Sequence, residues 1–222
     1  RGDRLENDSI FLYRFQEGYV DKSVKACYGH TSRYYFAQMS FSPDASMLAC
    51  PGELLYKFDN QSGALSEPLS LRKVFEHSRY DSFRCTMVEK CFSPDSRYLY
   101  VLENMNHDNG SDKRSYFVQY DLAVWDADSI IASRVELGVR NVVRYIQGIQ
   151  LGPDGKIYVI QEDPAIDKME WLGVIEFPNR KAPACSFKPQ GLYLEGMSCF
   201  GQLPNIITSL YNFPSYFDTL VI

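Results

Sequence analysis

Histidine is scarce, with only His30, His77 and His107 in 222 residues. A Ser-His-Asp triad needs one of them beside an activated serine, and no Gly-x-Ser-x-Gly elbow occurs. No His-Glu-x-x-His pair is present to hold zinc on a helix. The six cysteines, at 27, 50, 85, 91, 185 and 199, never stand as Cys-x-x-Cys. That excludes the usual zinc and dithiol spacings. No glycine-rich phosphate loop is present. No apolar run approaches the roughly 20 residues that cross a bilayer, and no signal peptide opens the chain. It begins with Arg1 rather than Met, so a leader or longer N-terminal region is expected upstream. Positive charge is not concentrated either. The 23 Lys and Arg are scattered and the net charge is -5, which argues against nucleic acid as a partner. Helical periodicity is almost absent. Residues 134–150 show some of it, but Val, Ile and Tyr dominate and Gly138 and Gly148 interrupt, so the segment reads as strand, loop, strand.

Aromatic rings are plentiful, with 16 Tyr and 14 Phe. Such rings suit pleated, half-buried sheet surfaces. A repeat organises them. Phe41-Ser42-Pro43-Asp44 precedes Met47-Leu48-Ala49-Cys50, Phe92-Ser93-Pro94-Asp95 precedes Tyr98-Leu99-Tyr100-Val101, and Leu151-Gly152-Pro153-Asp154-Gly155 precedes Ile157-Tyr158-Val159-Ile160. Proline pre-sets φ at the first central position of a turn, and Asp and Gly favour the rest. An apolar residue before and an apolar run after make each copy a hairpin between two buried strands. Pro43, Asp44, Pro94, Asp95, Pro153, Asp154 and Gly155 are thus structural turn residues.

Each copy continues in the same order. A third, aromatic strand is expected at 53–58, 116–120 and 171–177, and a more polar fourth at 69–74 and 131–137. Four antiparallel strands per unit is the blade pattern of a propeller, and the spacing between copies is close to a propeller repeat. The fold class expected is therefore all-β, a β-propeller of four-stranded blades in a single domain over residues 1–222. Blades are placed at about 32–77, 82–137 and 143–194. Half-blades at 10–27 and 203–222 complement each other. They either close a four-bladed ring or belong to a larger propeller of about seven blades.

Gln150-Leu151-Gly152-Pro153-Asp154-Gly155-Lys156-Ile157-Tyr158-Val159 resembles a signature of large Bacteroidetes surface proteins. These carry a WD40-like or PD40-like propeller region of the gliding-motility and type IX secretion kind. Gln119-Tyr120-Asp121-Leu122 with Ile130-Ile131-Ala132-Ser133 resembles that family's preceding blade. Leu172-Gly173-Val174-Ile175-Glu176-Phe177-Pro178-Asn179 resembles the strand after its motif, and Cys185 stands where the family often has a cysteine. Leu203-Pro204-Asn205-Ile206-Ile207 resembles its closing run, with Gln202 where glycine is usual. The resemblance implies a propeller with further blades upstream, export to the cell envelope or extracellular surface, and no known catalytic residues. The family's sorting tail and PKD-type repeats have no counterpart in this sequence.

Several residues invite a chemical reading. Asp44, Asp95 and Asp154 would form a ring of acids only if blade symmetry brought them together, and capping their own turns is the simpler role. Residues 104–112 form the most polar loop. It offers oxygen ligands but lacks the terminal Glu of an EF-hand, and a solvated loop that contacts a partner through His107, Asp108 and Asp112 is the favoured reading. Glu162, Asp163 and Asp167 form an acidic loop after the third motif. Trp125 and Trp171 are core or edge aromatics, and an exposed ring of this kind can stack on a sugar. Cys50 and Cys91 read as small buried hydrophobes. Cys185 and Cys199 flank a loop and are candidates for a disulfide in an exported protein.

The expectation is a non-enzymatic envelope or surface module that uses propeller loops to bind a protein or glycan. No cofactor and no metal are expected, and no bilayer crossing within this segment. Two alternatives stand beside it. One is a propeller hydrolase or lyase with acids and His30 or His107 in a central channel. The other is the sensor domain of an envelope receptor.

Overall fold

The computed structural model describes residues 9–16, 19–28, 39–50, 52–71, 83–107, 113–141, 148–160, 170–199 and 203. Among them the chain is all-β apart from one short helix. A hairpin pairs β1 (Ser9–Gln16) with β2 (Tyr19–Tyr28). Three four-stranded antiparallel sheets follow in chain order. The first holds β3 (Ser40–Phe41), β4 (Met47–Ala49), β5 (Leu54–Asp59) and β6 (Ala64–Ser70). The second holds β7 (Phe83–Phe92), β8 (Tyr98–His107), β9 (Lys113–Asp121) and β10 (Val135–Asn141). The third holds β11 (Ile149–Leu151), β12 (Ile157–Ile160), β13 (Trp171–Ile175) and β14 (Phe187–Tyr193). Consecutive strands are neighbours in every sheet. No closed ring is formed among the described residues, and residues 204–222, where a closing half-blade is expected, lie outside them.

The three Pro-Asp copies are the β3–β4, β7–β8 and β11–β12 turns. The Ser42, Ser93 and Gly152 carbonyls accept from the N–H groups of Ala45, Ser96 and Gly155. Those three residues share a left-handed backbone, with φ of 55°, 62° and 76°. The copies differ in length. Phe41 pairs with Leu48 and Phe92 with Leu99, but Leu151 pairs with Ile157. The third turn is therefore one residue shorter. In the longer turns the extra N–H, of Met47 or Tyr98, is taken by a buried serine Oγ at 2.9 Å from Ser42 and 2.8 Å from Ser93. The shorter turn has no such N–H to satisfy, and glycine stands in the serine's place. A Cβ on Gly152 would meet the Tyr158 ring at 2.7 Å.

A one-residue slip sends every following side chain to the other face of its sheet. The sequence compensates by swapping the order of ring and aliphatic residue. Tyr98-Leu99 in the second copy becomes Ile157-Tyr158 in the third. Leu99 and Val101 consequently face the first sheet, and Ile157 and Val159 face the second.

The sheets stack through these faces. Met47, Ala49 and Leu55 pack against Phe92, Leu99, Val101, Val118 and Tyr120. On the other side of the second sheet, Cys91, Tyr98, Tyr100, Leu102 and Phe117 pack against Ile149, Leu151, Ile157, Val159 and Ile175. Leu48, Cys50 and Tyr56 line the remaining face of the first sheet. Each such aliphatic or aromatic side chain contributes about 1.5–3 kcal/mol by leaving water.

Burial falls off outward. The described parts of the second and third strands are mostly buried, whereas β6 and β14 are largely exposed and carry Pro68 and Pro189. Proline withholds a ladder donor, which protects an outer edge from pairing with another chain. At the opposite margin, β3 and β11 both contact β7, so the first strands of the three sheets lie side by side.

Several sequence expectations shift. The fourth strand of the first sheet is Ala64–Ser70, not 69–74. The fourth strand of the second is Val135–Asn141, and the segment before it is helix α1 (Ala127–Ala132). Asp126 caps that helix through the Ser129 N–H at 2.9 Å, and Ile130 is its buried anchor. Residues 104–107, expected in a loop, continue β8 with Asn104 opposite Ser115 and Asn106 opposite Lys113.

Polar ties brace the seams. Trp125 Nε1 donates to the Glu67 carbonyl at 3.1 Å, and the Lys57 ammonium sits 4.3 Å from the Trp125 ring centroid. Buried Gln119 donates to Tyr100 Oη at 2.7 Å and to the Arg180 carbonyl at 2.8 Å, and accepts from the Ala182 N–H at 2.8 Å. Tyr100 in turn donates to the Pro178 carbonyl.

Two expectations follow. A Cβ on Gly155 would meet nothing within 4 Å, so Gly155→Ala isolates the backbone cost and should lose about 1 kcal/mol in urea unfolding, while Ala45→Gly should gain a few tenths to about 1 kcal/mol. Gln119→Leu leaves the half-buried Ala182 N–H without its acceptor and should cost about 1–3 kcal/mol by the same measurement; a loss under about 0.5 kcal/mol would show that the seam does not depend on it.

Candidate functional site

The antiparallel order of each sheet sorts its connections between two ends. The Pro-Asp turns and the links from third to fourth strand lie at one end. The links from second to third strand, and from each sheet to the next, lie at the other.

The Pro-Asp end is consumed by internal bonds. Asp44 accepts from Ser42 Oγ at 2.6 Å and from the Ser46 N–H at 3.0 Å, and these bonds hold its carboxyl below the usual range against the opposing effect of burial. Asp95 accepts from Ser93 Oγ at 2.5 Å and from the Arg97 N–H at 3.1 Å. Asp154 accepts from the Lys156 N–H at 3.2 Å and from Tyr158 Oη at 2.7 Å. The tyrosine hydroxyl thus donates to the third aspartate as the serine hydroxyl does to the other two. Each carboxylate is bonded within its own turn, and the three are not gathered into one acid site. The turns also reach across the seams. The Asp44 N–H donates to Ser96 Oγ and the Asp95 N–H to Asn179 Oδ1, both at 3.1 Å.

The opposite end carries the loop residues singled out from the sequence. His107 is the last residue of β8 and pairs with Phe83. Asp108 and Asp112 lie outside the described residues, in the short connection from β8 to β9, as do Glu162, Asp163 and Asp167 in the connection from β12 to β13. At the rim of this end Trp171 and Tyr193 pair across β13 and β14 with ring centroids 4.9 Å apart. They are 37% and 45% exposed, enough for another molecule to reach both rings. Trp125, by contrast, is half-buried and tied to the first sheet at the Pro-Asp end.

The disulfide expected between Cys185 and Cys199 is not formed, and both are free thiols. Cys185 is fully buried in the seam between second and third sheets, and Cys199 is half-buried. Burial raises both thiols above their ordinary value, which makes them less reactive as nucleophiles. Among the described residues no cluster of His, Cys, Asp and Glu could hold a metal ion, and no helix is long and apolar enough to cross a membrane.

Two buried charge centres escaped the sequence reading. Glu103 is fully buried in β8, bonded to the Tyr120 hydroxyl and to Arg134 Nη2 at 2.8 Å. Glu89 and Lys90 are consecutive on β7 and only 3% and 4% exposed. A register shift between Met87 and Glu89 lies just before them. Lys90 Nζ donates to the Cys50 carbonyl of the first sheet at 2.8 Å, while a Glu89 carboxylate oxygen accepts from the Ile149 N–H of the third at 3.3 Å. Burial is the leading cause that raises the Glu89 carboxyl and depresses the Lys90 ammonium to about 8. The one sequence signal was an adjacent Glu-Lys pair just before the Cys91-Phe92 end of β7.

No protein-family model and no curated protein matches the chain. A chain in the crystal structure of a mitotic checkpoint complex is similar over 63% of this chain, at 13% identity and a TM-score of 0.31. The similarity spans 46% of that chain, less than half its length, and is too low to bear on fold or function.

Proposed function

We propose that the three sheets are blades of a β-propeller, and that the end opposite the Pro-Asp turns binds a protein or glycan without transforming it. The segregation of connections carries this reading. At the Pro-Asp end, backbone and side-chain groups are spent on bracing one sheet to the next, as at Asp44–Ser96, Asp95–Asn179 and Trp125–Glu67. The other end holds the β8–β9 connection with Asp108 and Asp112 and the β12–β13 connection with Glu162, Asp163 and Asp167, with the Trp171–Tyr193 pair at its rim. Rigid strands holding loops at one end suit recognition. The blade reading is supported by first strands that lie side by side and by exposed, proline-bearing fourth strands in two of the sheets. Placement at the cell envelope rests on the sequence resemblance alone.

The test is site-specific photo-crosslinking. A benzophenone amino acid is placed at Tyr193 or His107 on the loop end, and at Ser62 or Arg180 on the Pro-Asp end. Each chain is exposed to an envelope fraction with and without excess unlabelled chain. Adducts with a protein or glycan that the competitor removes are expected from the first pair at several times the yield of the second. Equal yields from both ends, or adducts the competitor leaves unchanged, would overturn the assignment.

A further inference from the structure

The Glu89–Lys90 pair does more than fill space. Alternation along β7 places Cys91 toward the third sheet and Phe92 toward the first. Glu89 and Lys90 continue that alternation, so the two charges leave the second sheet from opposite faces. Each ends on the backbone of a neighbouring sheet. They do so on the strand that contacts both β3 and β11. One dipeptide therefore ties three sheets together at the margin where their first strands meet.

Burying two opposite charges strips each of its hydration, and their partners return only part of that loss. The groups facing Lys90 are few. Among the described residues, Glu53 and Cys50 of the first sheet and Glu89 of its own strand act on its charge. On β8 its register partner is Val101, and β3 (Ser40–Phe41) and β11 (Ile149–Leu151) carry no titratable side chain. The Glu53 carboxylate is half-buried beside the link between β4 and β5. Water admitted there would solvate the ammonium as the bonds that close the first sheet at Cys50 and Leu71 part.

We propose that Lys90 is a protonation-controlled latch between the first and second sheets. The charged ammonium favours a seam opened to water beside Cys50 and Glu53, and the neutral amine favours the closed seam. The inference stands independently of what the loop end binds.

The sign follows from linkage. The group lies at about 8 in the closed seam against an ordinary 10.5. A lysine depressed by burial stabilises the closed form above its ordinary value, and that stability is lost as pH falls toward 8. The window is therefore pH 8 to 10.5, and below it the opening tendency is constant. Glu89 is shifted the opposite way and faces the other seam, so acid titration should tighten the β11 side instead.

Hydrogen exchange with millisecond pulses, corrected for intrinsic rates, reads the opening at the Cys50 and Leu71 amides. These are bonded to the Leu54 and Glu53 carbonyls. Their protection should rise about tenfold per pH unit from 8 to 10. Lys90→Met should show no such rise between pH 8 and 10, whatever its level of protection. Glu53→Gln removes a facing carboxylate and leaves the buried amine in place, so the rise should begin below pH 8. Flat protection in the unmodified chain, or a rise retained in Lys90→Met, would overturn the latch. If Lys90→Met fails to fold, an onset unmoved in Glu53→Gln overturns it and a lowered onset supports it.

Discussion

Both faces of the second sheet are apolar, and that constraint governs the arrangement of the rest. Leu99, Val101, Val118 and Tyr120 point one way, and Tyr98, Tyr100, Leu102 and Phe117 the other. A sheet of this kind cannot leave either face in water, so it must lie between two others. The outer strands β6 and β14 escape the constraint: they are largely exposed, polar and interrupted by proline. Stacked four-stranded sheets with exposed fourth strands are the direct outcome.

Stacking creates its own problem, because apolar faces alone do not fix how one sheet is set against the next. The polar ties supply that registration. Gln119 is the clearest case. It sits in a buried position and uses both its amide donors and its carbonyl oxygen on the segment 178–182 and Tyr100. A leucine there would bury as much area but specify less, since hydrocarbon contact has no direction. The turn ties Asp44–Ser96 and Asp95–Asn179 repeat the principle at the Pro-Asp end. The short helix adds a wedge, with Ile130 against the first sheet's seam and Trp125 bonded across it.

Much of this was legible in the sequence because turn chemistry is local. Proline followed by aspartate and a left-handed residue identifies each hairpin without reference to the rest of the chain. The swap from Tyr98-Leu99 to Ile157-Tyr158 was also in plain view. It becomes meaningful only once the third turn is seen to be one residue shorter. What escaped depends on partners distant in sequence. The segment 127–132 holds only six residues, too few for a hydrophobic period to declare itself, and Asp126 reads equally as a loop residue. Asn104, Asn106 and His107 are polar enough to suggest a loop, but β9 pairs with Asn104 and Asn106 and β7 with His107. The Cys185–Cys199 pairing failed for a similar reason, since the sequence could not show that Cys185 belongs to a buried seam.

Glu89 and Lys90 show where sequence logic and structural logic diverge most. By pattern, two consecutive charges inside a strand should mark an exposed edge, yet both are buried. The contradiction resolves when the first strands are seen to converge. Where three sheets meet, backbone groups at strand ends run out of ladder, and the Cys50 carbonyl, just past β4, accepts from Lys90 instead. An apolar residue at position 90 would leave that carbonyl unsatisfied in a dry seam, at about 1–3 kcal/mol. A lysine satisfies it and brings a charge that must itself be compensated, which Glu53 and Glu89 do from two sides. The seam is thus held by a group that prefers water, while the seams farther out are held by hydrocarbon and neutral amides. Any motion of one sheet against the next should begin at that inner margin, because among the described residues it is there that opening returns a buried ammonium to solvent.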